Sequence, residues 1–422
     1  MLLIIIAVVC GFLVTAPAFA QPITAEHAEQ YRVIQTPNGI ERLLLGNVHI
    51  RIGALEIFAD SVREQPTRAL IILQGNVRIY RDSLHIAAPI LYYNQKTQTM
   101  DAPKGVTIVD SAVRVTAQSG IYFRPNDHIQ LSGSVHIATD SLLLLAEVVH
   151  YWRRSQKFRA TGNVQLLRQP DRFLIADSVS GDLATDCYTA SGNVQAWSFS
   201  SSSADTTFLQ AASLYLCADT LRAKESVVVV TDQFRCRTGT LFQIDSTLLL
   251  FPETRIWLDS TVLQADSVVY RQLNDSTDQL TAWRNASVLL PASVQFPDRW
   301  HLLKSEYLRI TTIKDAPAMI LAHTDAYSRY FLFDESQQPA GVVEHKADTI
   351  TIAFQHKKPV IVAHLHKVYG QFLPESLIDT HPQLLESASP LRSMPSRPSP
   401  ASLLRGFLSQ FQRAPFHVAQ HP

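Results

Sequence analysis

The chain has no excess of charge of either sign, since its 422 residues include 37 Lys and Arg against 37 Asp and Glu. Without a basic excess it lacks the electrostatic attraction on which nucleic-acid binding depends, so no nucleic-acid partner is expected. Only 18% of the residues are charged while 46% are hydrophobic, which excludes a disordered chain. Glycine is also scarce, at 15 residues, which excludes a collagen-like or glycine-linker protein.

Motifs for catalysis and cofactor binding are missing as well. The sequence contains no Ser-His-Asp order, no phosphate-binding glycine loop and no Cys-x-x-Cys. Aspartates recur in Ala-Asp-Ser or Ala-Asp-Thr triplets at Asp60, Asp177, Asp266 and Asp348. Four repeats separate the first two, so we interpret them as bend residues and not as a stacked calcium or base site. The sequence therefore predicts a protein that is not an enzyme and has no cofactor.

The sequence contains no complete metal-binding motif. His364 and His366 share one strand face, but no third ligand is identifiable, so an exposed face is the favoured interpretation and no metal is expected. After the first twenty residues three cysteines remain, Cys187, Cys217 and Cys236. Because Cys187 and Cys217 are one repeat apart, they are candidates for a disulfide, although a Ser-rich insertion between them disturbs the register.

Long hydrophobic runs are confined to the start of the chain. Leu2 to Val14 is almost entirely apolar and is followed by Ala18-Phe19-Ala20, which predicts a signal peptide over residues 1–20. An uncleaved anchor is the alternative, because no Lys or Arg precedes the run. No later segment reaches about 18 consecutive apolar residues. We therefore expect export to the periplasm, with association with the inner or outer membrane left open.

The rest of the chain is organised by a 29-residue repeat. Gly-Asn-Val or a close variant recurs with spacings of 29, 29, 29, 29 and 30 between its valines, Val48, Val77, Val106, Val135, Val164 and Val194. An apolar residue lies two positions after each of the first five valines, and a polar residue lies between, as in Val48-His49-Ile50. This period of two predicts strands. Turn-like pairs such as Asp140-Ser141 separate them, giving two strands per repeat.

Two strands joined by short turns favour an antiparallel stack, although a parallel β-helix has the same period. The predicted fold is all-β: an elongated jellyroll or solenoid-like stack of about eleven repeats, on the order of 100 Å long, without a membrane barrel. We assign regular repeats to residues 31–194, degenerate repeats to 195–374, and a Pro/Ser-rich tail with a short amphipathic helix to 375–422. That composition predicts a flexible tail. Its helix is a candidate for a membrane or partner contact, or for a cap on the stack.

The Gly-Asn-Val strand, the Ala-Asp-Ser strand and the signal peptide together resemble the OstA-like family, which comprises LptA and the amino-terminal domain of LptD. The resemblance is best over residues 41–194, and the chain is more than twice as long as the short members. It implies a β-jellyroll opened into a V-shaped trough. It also implies a periplasmic role in lipopolysaccharide transport, in which the apolar interior shelters lipid A acyl chains. The residues after 280 are too few for the large lipopolysaccharide translocon barrel.

The candidate lipid-binding residues are those whose position in the strand alternation points them to the interior. The sequence does not decide whether that interior is open or filled by these side chains. The candidates are Val48, Ile50, Val77, Ile79, Val106, Ile108, Val135, Ile137, Val164 and Leu166. The implied partners are lipopolysaccharide, an inner-membrane export complex and the outer-membrane translocon, reached by stacking of edge strands. End-to-end self-association is a further option. The competing hypothesis is an exported β-solenoid, either an adhesin or a polysaccharide-degrading β-helix enzyme.

Overall fold

The computed structural model describes residues 24–413, apart from gaps at 53–54, 82, 111–112, 141, 153, 169–170, 183, 186, 200–205, 219, 233, 259, 275, 314–315, 356–357 and 386–389. The predicted signal peptide, residues 1–20, lies outside the described residues. Contacts divide the described chain into two compact units. Unit 1 comprises residues 24–196 and 399–413, and unit 2 comprises residues 197–398.

Unit 1 is built from strands that follow one another closely along the chain. They are β1 (Thr24–His27), β2 (Gln30–Thr36), β3 (Gly39–Ile52), β4 (Leu55–Gln65), β5 (Leu70–Arg81), β6 (Leu84–Asn94), β7 (Thr99–Ala102), β8 (Val106–Asp110), β9 (Val113–Ala117), β10 (Ser119–Phe123), β11 (His128–Thr139), β12 (Leu142–Trp152), β13 (Lys157–Arg168), β14 (Arg172–Asp182) and β15 (Cys187–Phe199), which begins in this unit.

Unit 2 continues the same pattern of strands. They are β16 (Thr206–Cys217), β17 (Thr220–Val230), β18 (Arg235–Ile244), β19 (Thr247–Phe251), β20 (Thr254–Leu258), β21 (Thr261–Ala265), β22 (Ser267–Asn274), β23 (Thr277–Pro291), β24 (Trp300–Ile313), β25 (Ala316–Phe333), β26 (Pro339–Gln355), β27 (Lys358–Leu365) and β28 (Tyr369–Pro374).

The described strands pair in antiparallel fashion, and most pairs join strands that are consecutive in the chain. In unit 1, β3 pairs with β4, β4 with β5, and β12 with β13. In unit 2, β24 pairs with β25 and β25 with β26. The all-β prediction and the antiparallel arrangement are therefore confirmed. A β-helix of parallel rungs is excluded for these strands, which removes the structural basis of the competing β-helix enzyme hypothesis.

A bend in the middle of the long strands rolls the sheet around its core. Gly46 and Asn47 of β3 both have positive φ, +75° and +44°, and the register to β4 shifts between Leu45 and Val48. Glycine and asparagine tolerate this left-handed backbone better than other residues, so they occupy the bend. Leu44 before the bend and Val48 after it belong to the same hydrophobic cluster. Each strand thus contributes two half-strands that face one core.

The chain after β28 is not a run of regular strands. It forms short 3-10 helices at Glu375–Thr380, Pro382–Leu384 and Pro390–Ser393, and then the helix α1 (Ala401–Arg413). Although composition predicts a flexible tail, Ile378, Leu384 and Phe407 are buried. In the part of the chain described by the structure, no helix has both the length and the hydrophobicity needed to span a bilayer.

Candidate functional site

The interior of unit 1 carries an unbroken row of aliphatic side chains. In each pairing the row residue lies directly opposite the row residue of the next strand, so all members point to the same face of the sheet. The row crosses ten strands, from β3 to β14, through Ile50, Ile57, Ile79, Ile86, Ile108, Val115, Ile137, Leu144, Leu166 and Leu174. No polar residue interrupts it. We call it the inner row of unit 1.

The ten predicted lipid-binding residues all lie on this inner face. Five of them are members of the inner row: Ile50, Ile79, Ile108, Ile137 and Leu166. The other five are the valines of the repeat, which lie next to the bend and are buried: Val48, Val77, Val106, Val135 and Val164. Leu166 is only half-buried. The structure thus assigns these side chains to one surface, and their role in lipid binding stays a prediction.

The two half-strands of each strand cover each other across this interior. In the cluster around Val48 and Ile50, residues on one side of the bend, such as Leu73 and Val62, pack with residues on the other side, such as Ile79. All five side chains are at most 5% exposed. The interior of unit 1 is therefore filled by its own side chains at this cluster. Side-chain packing therefore holds the two half-strands together there, in addition to the chain connection through the bend.

A repeated polar contact fixes the bend. The carboxylate of Asp60 on β4 accepts hydrogen bonds from Asn76 Nδ2 at 3.1 and 3.2 Å. A side chain on Gly75 would place its Cβ in collision with Asp60 Oδ2, so glycine is required there for steric reasons in addition to its φ of +78°. Asp177 makes the same contact with Asn193. The interpretation of these aspartates as bend residues agrees with this geometry.

The remaining members of that aspartate set follow the same pattern in unit 2. Asp266 accepts a hydrogen bond from Asn285 Nδ2 at 3.4 Å. Asp348 forms an ion pair with Lys367 at 3.2 Å. Among the described residues, no group of three or more His, Cys, Asp or Glu side chains is arranged to hold a metal ion.

The interior of unit 2 changes character along the chain. Its inner row runs through Val229, Cys236, Ile256, Leu263, Val288, Leu303, Ser328, His345 and Gly370. The first six residues of this row are apolar and the last three are polar or lack a side chain. The interior of the final repeats is therefore more polar than that of unit 1.

Histidine and tyrosine side chains gather in the same part of unit 2. The His345 and His364 rings lie 4.2 Å apart, and His301 stacks on Tyr330 at the same centroid distance. Burial, with a smaller contribution from Arg329, lowers the pKa of His301 to about 4. Burial and the neighbouring His345 also lower the pKa of His364. The sequence analysis names His364 but not its neighbours, because the members of this cluster come from four different strands.

The cysteines are in two chemical states. Cys187 and Cys217 are both disulfide-bonded. Their pairing with each other stays a prediction, which non-reducing peptide mapping would test. Cys236 is a buried free thiol of the inner row of unit 2, and burial raises its pKa to about 12. It is therefore a hydrophobic core residue and not a nucleophile.

Each unit has terminal strands with exposed apolar side chains. In unit 1, β1 and β2 both pair with β3. Tyr31 and Val33 of β2 are 61% and 58% exposed. In unit 2, β27 and β28 both pair with β26, and Ile361 and Phe372 are similarly exposed. Edges of this kind can accept a further strand.

Comparison with known proteins identifies a family and a similar solved structure. Residues 23–157 match the family described as LptA/(LptD N-terminal domain) LPS transport protein. The resemblance to the OstA-like family is confirmed over this segment. Among solved structures, the chain is similar to LptH of Pseudomonas aeruginosa, described as the LptA homologous periplasmic component of the conserved lipopolysaccharide transport device. That similarity has 12% identity and a TM-score of 0.26, and covers 28% of this chain and 95% of LptH. A search of curated proteins gives no match.

Proposed function

We propose that this chain, whose first repeats match a lipopolysaccharide transport family, is a periplasmic transport protein that shelters lipid A acyl chains inside unit 1 between the two membranes. The observation that carries the proposal is the inner row, ten aliphatic residues without a polar interruption from Ile50 to Leu174. Moving an acyl chain into water costs roughly 0.8 kcal/mol per methylene, so a carrier must cover the chain with apolar surface. This function requires binding only, and no catalytic step.

Entry of an acyl chain requires the two half-strands to separate. The side chains that now cover each other, such as Val62 and Val48, then cover the acyl chain instead. Because apolar contacts are replaced by apolar contacts, the net free-energy change is much smaller than that of exposing both surfaces to water. The Gly-Asn bends, where the half-strands join, are the positions at which this opening can occur.

Members of the inner row differ in accessibility. Ile86, Leu166 and Leu174 are half-buried, whereas Ile50 and Val115 are at most 4% exposed. We expect an approaching acyl chain to contact the half-buried members first.

Photocrosslinking in growing cells tests the proposal with two adjacent residues of β9. Val115 belongs to the inner row, while Arg114 points to the opposite face and is exposed. With a crosslinking amino acid at each position in turn, we expect lipopolysaccharide adducts at Val115 and none at Arg114. Equal labelling at both positions, or no adduct at Val115 in folded and exported protein, would contradict the proposal.

The edge strands are the proposed partner contacts. We propose that β1 and β2 of unit 1, and β27 and β28 of unit 2, extend the sheet of their unit into an inner-membrane export complex, the outer-membrane translocon or a second copy of this chain. Unpaired backbone groups on such strands recognise another strand through main-chain hydrogen bonds. The exposed apolar side chains of β27 and β28 add burial to this pairing.

Lysine substitution on β27 tests the edge contact. The Ile361→Lys/Val362→Lys variant should reduce co-purification of partner proteins and self-association at least tenfold, because charges on an edge strand oppose strand addition. Val294→Lys is the matched control, since Val294 is 98% exposed and lies outside the strands. Unchanged co-purification of the double variant, with the control also unchanged, would exclude this edge as a contact.

A further inference from the structure

The outer face of unit 2 carries a second row of large side chains. Each member lies opposite the next in the strand pairings, one residue away from the inner row. The row runs through Phe208, Val230, Arg235, Trp257, Val262, Leu289, Leu302 and Arg329. We call it the outer row of unit 2. The outer face of a sheet is normally polar and solvated. Because six of these eight residues are apolar, another part of the protein must shield them from water.

That cover is the chain after β28. Ile378 and Leu384 are buried in one cluster with Phe331 and Val342. Further along, Leu391 and Met394 pack against a second cluster that contains Trp257, Val262, Leu289 and Trp300. The described part of residues 375–398, which we call the strap, therefore lies on the outer row.

Polar side chains of the outer face bind the strap mainly through its backbone. Arg235 Nη1 donates to the carbonyl of Pro395 at 3.1 Å, and Trp197 Nε1 donates to the carbonyl of Pro398 at 3.3 Å. Arg329 Nη1 donates to the carbonyl of Gln383 at 3.4 Å. Pro395 and Pro398 belong to the non-helical part of the strap, residues 394–398. Recognition of their carbonyl groups by an arginine and an aromatic side chain is typical of grooves that bind proline-containing peptides.

Side-chain contacts secure the strap at both ends. Arg299 forms an ion pair with Glu375 at the start of the strap, and Asp232 forms one with Arg397 near its end. Between them, Arg255 Nη1 donates to Ser393 Oγ at 3.0 Å. The described residues of the strap are thus contacted by charged and aromatic groups of unit 2.

The strap's own backbone bonds are local. His381 N donates to the carbonyl of Ile378, and Met394 N donates to that of Leu391. These bonds close short turns within the strap, and the polar contacts to the sheet described above are made by side chains. The strap therefore has the contact pattern of a bound peptide and not that of a sheet strand.

We propose that the outer face of unit 2 is a binding groove for proline-containing peptides, that the strap is its resident ligand, and that the strap of a second copy can exchange with it. A tethered ligand has an effective concentration in the millimolar range, so the groove is closed to weaker competitors while the strap is bound. Any condition that loosens the strap makes the groove available in trans. This inference does not depend on lipid binding.

The test uses the full-length chain with a weakened strap and an intact groove. The Ile378→Asp/Leu384→Asp variant changes two buried strap residues only. The probe is a fluorescein-labelled synthetic peptide of residues 375–398, which represents the strap of a second copy. We expect the variant to bind the peptide at least tenfold more tightly than the unaltered chain. Emission of Trp257 and Trp300 should shift to longer wavelength in the variant and return on peptide addition.

Groove variants and a scrambled peptide provide the controls. Adding Arg235→Gln and Arg255→Gln to the weakened-strap variant should lower peptide affinity at least fivefold, and a scrambled peptide should bind more weakly still. A folded variant, by far-ultraviolet circular dichroism, that does not bind the peptide would overturn the proposal. Equal binding of the scrambled peptide would do the same.

A second variant covers the case in which the aspartate variant does not fold. A protease site inserted between Pro374 and Glu375 changes no side chain of the strap, and cleavage then frees one end of the strap. Excess labelled peptide covering residues 375–413 should replace the cleaved segment within hours. Retention of the cleaved segment until the whole protein unfolds would show that it is a permanent part of the core, and would overturn the proposal.

Discussion

Units 1 and 2 use the same repeat but bury different faces of their sheets. In unit 1 the inner row is entirely aliphatic, while the opposite row is mixed: His49, Phe58, Arg78, Ala87, Thr107, Thr116, His136, Leu145, Gln165 and Ile175. In unit 2 the inner row ends in polar residues, and the outer row carries Phe208 and Trp257. Apolar surface is therefore concentrated inside in unit 1 and is present on both faces in unit 2.

This contrast indicates that the repeat specifies the strands and bends, whereas the burial of each face depends on what else covers it. In unit 2 the strap covers the outer row. In unit 1 the helix α1 covers only part of the outer face, where Phe407 packs against Phe173 and Phe411 against His136. The helix is therefore a lateral cover of the unit 1 sheet. This lateral position is not that of an end cap. A membrane or partner contact of α1 stays a prediction, since Leu403 and Leu408 are exposed.

The contrast between the units also bears on where lipid would bind. The inner row of unit 1 offers uninterrupted apolar surface to an acyl chain. In the last repeats of unit 2 the inner row includes Ser328 and His345, and the partly buried His301 lies on the same face, which favours polar ligands or water. We therefore assign the proposed acyl-chain shelter to unit 1.

A charge in the inner row of unit 1 should have the strongest effect on stability. Ile79→Asp should destabilise the protein by at least about 4 kcal/mol, because it buries an unpaired carboxylate at a site that is 4% exposed. Urea unfolding followed by circular dichroism measures the change. Arg78→Asp is the matched control, since this exposed neighbour points outward, and its effect should remain below about 1 kcal/mol. Comparable losses in both variants would refute the assignment of faces.

Removal of a large outer-row side chain tests whether burial of the outer row stabilises unit 2. Trp257→Ala should cost about 3–5 kcal/mol, because Trp257 is 1% exposed beneath the strap and its loss leaves a cavity. Trp283→Ala should cost much less, since Trp283 is only half-buried. Chemical denaturation compares the two. If the two variants lost equal stability, burial of the outer row would not be a main source of stability in unit 2.

Replacing glycine by alanine should have opposite effects on stability in a strand bend and in the helix α1. Gly75→Ala should cost about 1–3 kcal/mol, because φ is +78° and the new Cβ would collide with Asp60. Gly406→Ala in α1 should be neutral or stabilise by up to about 1 kcal/mol, because nothing lies within 4 Å of the new Cβ and alanine favours the helix. Thermal unfolding measures both. A neutral Gly75→Ala variant would contradict the proposed role of the bend.

A smaller effect on stability is expected from a change of pH, through the protonation of His301 in unit 2. Because the pKa of His301 is about 4 in the folded protein and about 6.5 when unfolded, the unfolded chain binds more protons between these values. Stability should therefore decrease as pH falls from about 6.5 toward 4. His301→Gln should flatten this decrease, and the exposed His323→Gln should not. Denaturation midpoints at several pH values check this, and identical profiles for all three proteins would argue against it.

Much of unit 1 can be predicted from the sequence because its signals are local. The Gly-Asn-Val spacing identifies the repeat, and the alternation around Val48 or Val135 identifies the inner face. These patterns arise because a strand alternates its side chains and a left-handed bend requires glycine or asparagine. The sequence leaves the interior undecided between open and filled, since this depends on how closely two half-strands approach.

The outer row of unit 2 cannot be predicted in the same way. Trp257 and Trp300 occupy outward positions where polar residues are expected, and this is the signal that the sequence offers. What covers them comes from Leu391 and Met394, which lie much later in the chain. A contact over such a separation leaves no periodic pattern, so composition alone predicts a flexible tail there.

Period, alternation and backbone restriction are properties of neighbouring residues, so the amino-acid sequence is sufficient to specify β-repeats with one apolar face and glycine bends. Three further features follow from tertiary packing: the filling of the unit 1 interior, the histidine cluster of unit 2, and the seating of the strap on the outer row. Each of them depends on contacts between segments that are distant in the chain, and local backbone preferences do not specify such contacts.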